Sequence, residues 1–571
     1  MAKANFPYGV SDFDKLVSEG RVYVDRTRFL EHLEQINTSY HAFLRPRRFG
    51  KSLAISVMEH YYGKVHKDSF ERLFGKYYIG QHPTPRANSY IVLKFNFSGI
   101  ETTGLEDVFD HFLAKVKTGI IKTMKTYPDV YSQEDQDRVL QSSHPALALQ
   151  EIFSATEVKR GEKLFVLIDE YDHFTNEIIA FNYDDFSQIV SQNGFVRKFF
   201  EILKEGTGSG VVDRIFITGV SPITLDSLTS GYNIGTDLSL DYNMHDFMGF
   251  AEGEVAGLLR AAGVPEGEMG RVMADVQGWY DGYRFNDEIG HRLYNPDMVL
   301  YFASAFAEYS KYPATLLDAN VASDYGKMRR MLRVGDEARN YVLLEELLRQ
   351  GAVREPITRM FSFEKDWTRG DFASLLFYMG LLTIKGSELG FMDFQVPNHV
   401  IKGLYYDFFQ QILLQRAELR ADDLQVNQRL ARLALENDLR PLAEALETVL
   451  KRLDNRDARG FDEKYVKVAL LSLLAPAGVY AAHSEYPIGQ SYADVALLRR
   501  PPILQPKRQH FIELKHVKKQ DSAAKLVAKA EEGRQQLRRL LADPAIARQG
   551  DFMGWLLVVQ GYEVVVLEQI P

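Results

Sequence analysis

Short apolar runs alternate with longer stretches of helical spacing over residues 1–250. Four of the runs have the length and β-branched character of buried strands: His41–Leu44, Tyr90–Phe95, Lys163–Ile168 and Arg214–Thr218. The segment after the first run, Lys51–Tyr62, has the spacing of a helix. Strands separated by helices pair side by side in parallel, so the alternation predicts an α/β domain with a mostly parallel sheet.

The pattern changes in the second half of the chain. Residues 251–369 have a mostly helical pattern and are predicted to form a helical lid region. Residues 415–455 are predicted to be a helical linker, because Leu, Ala, Arg and Glu recur there at helical spacing. A new alternation over residues 456–571 predicts a smaller α/β domain. Its predicted helices are Glu463–Leu474 and Ala523–Leu541, and its predicted strands lie near Ala493–Leu498, His510–Leu514 and Trp555–Val559.

Residues 370–414 have the order of elements found in a winged-helix-like module. A predicted helix, Phe372–Met379, precedes two apolar strands, Leu381–Lys385 and Phe391–Val396, and another helix begins near His399. A module of this kind either contacts DNA or packs as a connector, and the connector interpretation is favoured.

Composition narrows the classes of protein that remain. A chain of 571 residues is too long for one hydrophobic core and indicates several domains. It contains no cysteine, which excludes disulfides, thiolate zinc sites and cysteine nucleophiles. A net charge of −9 argues against a protein that coats nucleic acid over its whole surface, although it is compatible with a local basic groove. With no signal peptide and no apolar stretch of about 18–20 residues, we expect a soluble cytoplasmic protein that does not bind membranes.

The first candidate site is a loop between a predicted strand and a predicted helix. Its sequence is Arg45-Pro46-Arg47-Arg48-Phe49-Gly50-Lys51-Ser52-Leu53. Unpaired N–H groups at a helix N-terminus bind anions, Lys51 adds a charge for the β- and γ-phosphates, and the Ser52 hydroxyl is a ligand for Mg²⁺. We expect Arg48, Phe49, Gly50, Lys51, Ser52 and Leu53 to bind the nucleotide. The general motif has glycine where Arg45 stands, and the arginines of the loop either form a solvated basic run or face the phosphates.

Two further predicted strands end in residues that complete a nucleotide site. The run Lys163–Ile168 is followed by Asp169, predicted to hold Mg²⁺, and by Glu170, predicted to polarise the attacking water. The last strand of the first domain ends at Thr218, where a small polar residue is predicted to sense the γ-phosphate. Arg214 and Arg284 are further candidates for contact with that phosphate.

The second candidate site lies near the C-terminus. Asp494 stands in one predicted strand, and Glu513 and Lys515 alternate in the next, so their side chains share one face of the sheet. Asp494 and Glu513 are predicted to bind Mg²⁺, with Mn²⁺ as a substitute, and Lys515 to act on the water or the phosphate. Glu463 is a further carboxylate candidate, and Gln535 or Gln536 is predicted to face the sheet. The alternative is a solvent-exposed face of an edge strand.

The chain resembles the AAA-ATPase-like proteins that carry a C-terminal PD-(D/E)XK nuclease domain. The strings that carry the resemblance are Tyr23-Val24-Asp25-Arg26-Thr27, Arg45 to Ser52, Ile168 to Asp172, Thr218 to Pro222, Trp279 to Phe285, Tyr294-Asn295-Pro296, and Asp494 with Glu513-Leu514-Lys515. In this family the phosphate loop normally begins with arginine, so Arg45 matches the family pattern. The chain departs from the family where Ser491-Tyr492-Ala493 precede Asp494, and where a tyrosine expected after the helix glutamine is missing.

We therefore predict a P-loop ATPase core (1–250), a helical lid region (251–369), a winged-helix-like module (370–414), a helical linker (415–455) and a PD-(D/E)XK nuclease-like domain (456–571). The predicted function is ATP binding and hydrolysis coupled to Mg²⁺-dependent cleavage of nucleic acid, with DNA favoured over RNA. The alternative is a nucleotide-dependent switch whose C-terminal domain binds a partner without cleaving it. A kinase is disfavoured because no acceptor site is apparent, and the sequence leaves open whether the protein is a homo-oligomer.

Overall fold

The structure, a computed structural model, describes most of the chain. The described residues are 4–102, 104–159, 161–174, 194–222, 235–316, 331–361, 366–453, 462–474, 478–489, 491–500, 503, 505–548 and 551–570. They form two compact units. The first contains residues 1–310, 315–347 and 352–398, and the second contains 311–314, 348–351 and 399–571.

The first unit is built on a parallel five-stranded sheet. Its strands are β1 (Tyr40–Leu44), β2 (Ile91–Asn96), β3 (Leu164–Asp169), β4 (Val212–Gly219) and β5 (Thr236–Asp237). Their order in the sheet is β2-β3-β4-β1-β5, and each neighbouring pair is parallel. The predicted parallel α/β domain is confirmed, and the short edge strand β5 is an addition to the four predicted strands.

Helices surround this sheet and follow it in the chain. Those of the sheet region are Phe13–Ser18, Arg28–Gln35, Lys51–Tyr62, Phe70–Phe74, Tyr78–Gln81, Leu105–Thr126, Gln133–Gln141, Pro145–Glu157 and Phe195–Gly208. Those that follow are Glu252–Ala261, Glu266–Tyr280, Pro296–Tyr309, Glu337–Gln350 and Arg369–Tyr378. Lys51–Tyr62 begins and ends at the predicted residues. Short 3₁₀ helices cover Lys64–Ser69 and His245–Phe247.

A small antiparallel sheet follows the helical region of the first unit. It consists of β6 (Ala352–Glu355), β7 (Thr383–Glu388) and β8 (Phe391–Gln395), in the order β6-β8-β7. The helix Arg369–Tyr378 and the hairpin β7–β8 occupy the residues predicted as helix and wing. The next helix, His399–Arg416, begins at the predicted residue and belongs to the second unit.

The second unit contains a mixed five-stranded sheet. Its strands are β9 (Tyr480–Ile488), β10 (Ser491–Arg499), β11 (Gln509–Val517), β12 (Phe552–Gln560) and β13 (Glu563–Ile570). Only the pair β11–β12 is parallel; the other neighbouring pairs are antiparallel. The predicted strands are the three central ones, β10, β11 and β12, whereas the edge strands β9 and β13 were not predicted.

Helices pack on this sheet and precede it in the chain. They are His399–Arg416, Ala421–Leu424, Val426–Glu436, Arg440–Leu453, Glu463–Leu474, Ala523–Leu541 and Pro544–Ala547. Glu463–Leu474 and Ala523–Leu541 have the predicted ends. The apolar core between sheet and helix includes Phe511, Leu537 and Leu556. Among the described residues, none of the helices is long and apolar enough to cross a membrane.

His510, a fully buried residue of β11, gives the second unit a predicted dependence on pH. Its Nδ1 accepts a hydrogen bond from Trp555 Nε1 at 3.2 Å, and its Nε2 is 3.2 Å from the Tyr480 hydroxyl. Burial lowers the pKa of His510 from 6.5 to about 4, because a charged imidazolium is poorly solvated there and could no longer accept the bond from Trp555. Between these two pKa values the unfolded state binds the proton and the native state does not, so stability rises with pH in that window.

We therefore expect the second unit to lose stability as the pH falls from about 6.5 to about 4, by up to roughly 3 kcal/mol from this residue. His510→Gln should flatten that slope, since an amide oxygen can accept the bond and does not titrate. Urea denaturation at several pH values, with hydrogen exchange of β11 peptides as the local probe, measures the effect. His82→Gln, at an exposed histidine, is the matched control. An unchanged slope in His510→Gln contradicts the assignment.

Candidate active sites

The phosphate loop connects β1 to the helix Lys51–Tyr62. Gly50 immediately precedes the helix and has φ 89°, a left-handed conformation that glycine adopts without strain. Arg48 is also left-handed, with φ 69°. These two positive φ values belong to the tight turn that brings the chain from the strand into the helix. The helix N-terminus therefore lies directly at this loop, and its role in binding phosphate stays a prediction.

Lys51 is buried and folds back over its own loop. Its Nζ donates hydrogen bonds to the carbonyl oxygens of Arg45 and Pro46, each at 2.9 Å. Burial lowers the pKa of Lys51 to about 8, and the nearby carboxylates of Glu170 and Asp169 oppose that shift. The two carbonyls hold the ammonium at the loop, close to the carboxylates at the end of β3.

Asp169 is the last residue of β3 and is almost fully buried. Burial raises its pKa, and the neighbouring Ser52 hydroxyl opposes this shift, which places the two side chains together. Asp169 Oδ2 accepts a weak bond from Asn96 at 3.4 Å, whereas Oδ1 has no hydrogen-bond partner among the described residues. An orphaned carboxylate oxygen beside a serine hydroxyl is a donor set that fits Mg²⁺.

Glu170 follows Asp169 in a left-handed conformation, with φ 52°. A non-glycine residue in that region is held there by its surroundings at some energetic cost. Two residues later, Asp172 accepts hydrogen bonds from the backbone N–H groups of Val220 (3.0 Å) and Ser221 (2.7 Å). Asp172 thus connects the loop after β3 to the loop after β4. The sequence predicted no separate role for this residue, which belongs to one of the strings that carry the family resemblance.

Arg45 is a buried structural residue. The two predicted alternatives for it, a solvated arginine and an arginine that faces the phosphates, were both wrong. Its side chain is 1% exposed and lies between the rings of Phe43 and Phe285, at 4.2 and 4.1 Å from their centroids. It donates to the carbonyl oxygens of Leu44 (2.9 Å) and Ser239 (2.6 Å). Arg45 is therefore neither a solvated residue nor a phosphate ligand. The other two loop arginines do line the adjacent cavity.

A cavity of about 430 Å³ opens in front of the phosphate loop. Its lining includes charged and polar groups, among them Lys51, Ser52 and Glu170. It also includes apolar side chains, among them Val22, Phe250 and Leu300. All six predicted loop residues, Arg48 to Leu53, contribute to its lining, and so does His173, which sequence reasoning missed. A lining that offers both charged and apolar groups suits a nucleotide, which has charged phosphates and a largely apolar base.

The remaining phosphate-contact candidates are placed less directly. The Thr218 hydroxyl donates to the Phe43 carbonyl oxygen at 2.8 Å, so its role as a sensor stays a prediction. Arg214 lies near the amino end of β4, about 16 Å along the strand from the loop after Gly219, and is not placed for that contact. Arg284 donates to the carbonyl oxygens of Ile384 and Ile289.

The C-terminal site forms where β10 and β11 run side by side. Their register pairs Val495 with Ile512, so the next position sets Asp494 opposite Glu513. Asp494 Oδ2 accepts the Leu514 N–H at 3.0 Å, and Lys515 Nζ donates to Glu513 Oε1 at 2.6 Å. Glu513 and Lys515 are 3% and 4% exposed, which excludes the alternative of a solvent-exposed strand face.

The two carboxylates of this site repel each other. Burial raises the pKa of Glu513 to about 7, and the neighbouring Asp494 adds to the shift. Two carboxylates this close and this poorly solvated favour a cation between them. Both offer hard oxygen ligands, so the donor set fits Mg²⁺.

Helix Glu463–Leu474 brings two more charged groups to the site. Glu463 Oε2 accepts the His516 N–H at 3.4 Å, and burial raises its pKa while the nearby Lys515 lowers it. Lys467, one turn later, is buried, forms an ion pair with Glu485 of β9, and lies 3.5 Å from Asp494 Oδ1. Sequence reasoning proposed Glu463 but missed Lys467 and Glu485. Glu463 and Lys467 are four residues apart on one helix and therefore lie on the same helical face, and this spacing could have linked them in the sequence.

Helix Ala523–Leu541 covers the same face of the sheet. It approaches so closely that a Cβ on Gly533 would lie 2.4 Å from Leu556 Cδ1 and 3.4 Å from Lys515 Cγ. Gln536 is on the same helical face, and its buried Oε1 has no hydrogen-bond partner in the described part of the chain. Gln535 is exposed and bonds to Glu531 on its own helix. Of the two glutamines considered, Gln536 is the one directed toward the sheet.

Comparison with known proteins finds a family match in each of the two regions that contain these residues. Residues 7–229 match the family model described as predicted AAA-ATPase, and residues 461–569 match that of the PD-(D/E)XK nuclease superfamily. The chain is also similar to a protein of Azotobacter chroococcum mcd 1 described as an uncharacterized protein in the vnfD 5′ region. They are 26% identical over 310 residues, or 53% of this chain and 52% of that protein, so the match spans about half the length of each. The protein thus carries an AAA-ATPase-like domain over residues 7–229 and a PD-(D/E)XK nuclease superfamily domain over residues 461–569.

Proposed function

We propose that the protein hydrolyses ATP in its N-terminal domain and, coupled to that activity, cleaves nucleic-acid phosphodiesters in its C-terminal domain. The proposal rests on the meeting of Asp494, Glu513 and Lys515 on one face of the C-terminal sheet. The N-terminal domain of the same chain brings together a second set of residues: Lys51, Ser52, Asp169 and Glu170. Domains of these two families generally use a nucleotide and a divalent metal.

In the ATPase domain, the N-terminus of the helix Lys51–Tyr62 receives the phosphates. When the nucleotide binds, the Lys51 ammonium leaves its two backbone carbonyl partners and donates to the β- and γ-phosphate oxygens. The exchange is favourable because a hydrogen bond to a charged phosphate oxygen is stronger than one to a neutral carbonyl. Ser52 and the orphaned oxygen of Asp169 would hold Mg²⁺, which neutralises charge on the phosphates when bound. The Glu170 carboxylate orients the attacking water and accepts its proton. Apolar side chains of the cavity lining take the base.

In the nuclease domain, Asp494 and Glu513 would hold Mg²⁺, which lowers the pKa of a water and offsets the charge of the phosphate when bound. The Leu514 N–H keeps Asp494 in place through its bond to Oδ2. Lys515, held beside Glu513, contributes an ammonium that stabilises the negative charge developing on the phosphate. DNA remains the favoured substrate over RNA.

A cleavage assay on single- and double-stranded DNA and RNA, with Mg²⁺ or Mn²⁺ and with or without ATP, tests the proposal. We expect metal-dependent cleavage whose rate depends on ATP. Cleavage that is indifferent to ATP contradicts the coupling. Purified protein that hydrolyses ATP but cleaves none of these substrates with either metal contradicts the nuclease function and favours the nucleotide-dependent switch.

A further inference from the structure

The C-terminal site contains more charge than the three signature residues supply. Counted over the described residues, four carboxylates meet there: Glu463, Glu485, Asp494 and Glu513. Two buried lysines lie among them, Lys467 from the helix Glu463–Leu474 and Lys515 from β11. With all six groups ionised, the formal charge is −2. One divalent cation neutralises that charge, and two would overcompensate it.

Lys467 lies between two of the carboxylates. Its side chain is 9% exposed; Nζ is paired with Glu485 and lies 3.5 Å from Asp494 Oδ1. The register of β9 and β10 pairs Tyr486 with Ala493 and Ser484 with Val495, which sets Glu485 opposite Asp494. Lys467 therefore reaches the central aspartate from the side away from Glu513.

The backbone of Glu485 departs from regular strand geometry at that point. Its φ is +54°, a left-handed value that is uncommon for a non-glycine residue. The neighbouring positions keep their antiparallel register, so the deviation is confined to the residue that pairs with Lys467. An irregular residue of this kind re-aims a side chain, here toward the buried ammonium.

A second divalent cation would have to share Asp494 with the first. In two-metal sites the ions are about 3.5–4 Å apart and are bridged by a common ligand. Here one oxygen of Asp494 accepts the Leu514 N–H, and the other faces Lys467. Burial, and after it the positive charge of Lys467, lower the pKa of Lys402, so a further cation on this side is disfavoured by the charge already there. A dication there would be repelled by the Lys467 ammonium.

We propose that the nuclease site binds a single divalent cation. In place of the second cation of two-metal nucleases, the Lys467 ammonium supplies positive charge beside Asp494. The inference rests on the proposed function, because it takes Asp494 and Glu513 as metal ligands. Lys467 is then not a metal ligand: its ammonium, 3.5 Å from Asp494 Oδ1, neutralises the outer side of that carboxylate. Glu485 in turn holds Lys467.

Counting the bound ions tests this inference independently of cleavage. Calorimetric titration of the full chain with Mn²⁺, without nucleotide, should give one ion that is lost in Asp494→Ala. Mn²⁺ electron paramagnetic resonance should show no coupled pair of ions. Two ions that disappear together in Asp494→Ala would overturn the single-cation assignment. Absence of any Asp494-dependent ion would instead overturn the proposed nuclease metal site.

Variants at the ion pair test the role of Lys467. Lys467→Met keeps the length and apolar stem but makes the site more negative by one charge, so Mn²⁺ should bind about tenfold more tightly or more. Glu485→Gln makes the site less negative and should weaken binding several-fold, which keeps the test decisive if Lys467→Met fails to fold. Lys467→Arg should bind like the wild type, and so should the control Lys464→Met at an exposed position of the same helix. Wild-type affinity in both Lys467→Met and Glu485→Gln contradicts the role of Lys467.

Discussion

Lys51→Ala is expected to abolish ATP binding at micromolar nucleotide. The substitution removes the buried ammonium that sits at the N-terminus of the helix Lys51–Tyr62, beside the cavity. Hydrogen bonds to charged groups are each worth about 1.5–3 kcal/mol, so losing those to two phosphates should weaken binding by roughly 10²-fold or more. Equilibrium titration with a fluorescent ATP analogue measures the loss.

Glu170→Gln separates binding from hydrolysis at the same site. Gln keeps the size of the side chain but cannot accept the proton of the attacking water, so turnover should fall by about 10²–10⁴-fold while the affinity for ATP stays near that of the wild type. Lys122→Ala and Glu157→Gln, at exposed positions of the same domain, are the matched controls. Hydrolysis at the wild-type rate in Glu170→Gln would show that another group activates the water.

Asp494→Ala and Lys515→Ala are each expected to abolish nucleic-acid cleavage and to leave ATP hydrolysis near normal. Asp494→Ala removes one of two carboxylates that face each other across β10 and β11, which leaves the cation too few fixed oxygen ligands. Lys515→Ala should spare metal binding but cost on the order of 10²-fold or more in cleavage rate, since it removes charge stabilisation of the transition state. Cleavage rates, Mn²⁺ binding and ATP turnover are measured on the same preparations.

The two sets of variants serve as controls for each other. Neither Asp494 nor Lys515 lines the cavity at the phosphate loop, so their loss has no direct route to ATP hydrolysis. Lys51→Ala should retain Mn²⁺ binding at the nuclease site. Cleavage by Lys515→Ala at the wild-type rate, with metal binding intact, would remove Lys515 from the chemistry.

The architecture was largely predictable because its signals are local. A buried strand such as β3 or β11 is a short apolar run, and a helix such as Lys51–Tyr62 has its own period, so each can be recognised without knowing its neighbours. The edge strands β9 and β13 escaped prediction for the same reason. Many of their side chains are only half-buried, which leaves a weak apolar signal.

The sequence by itself also determined where the chemistry-bearing residues stand on their elements. Lys51 opens a helix, Asp169 ends a strand, and Glu513 and Lys515 share one face of a strand, and each of these follows from short-range geometry. Their functional roles remain predictions that the variants above test.

Only the tertiary structure decided which distant residues meet. Arg45 looked like part of a basic loop, but Phe285, 240 positions later in the numbering, covers it and makes it a buried structural residue. Lys467 and Glu485 carried no motif, yet a helix and an edge strand bring them to Asp494. Burial and charge pairing depend on contacts between elements far apart in the chain, and a local pattern of hydrophobic and polar positions does not encode those contacts.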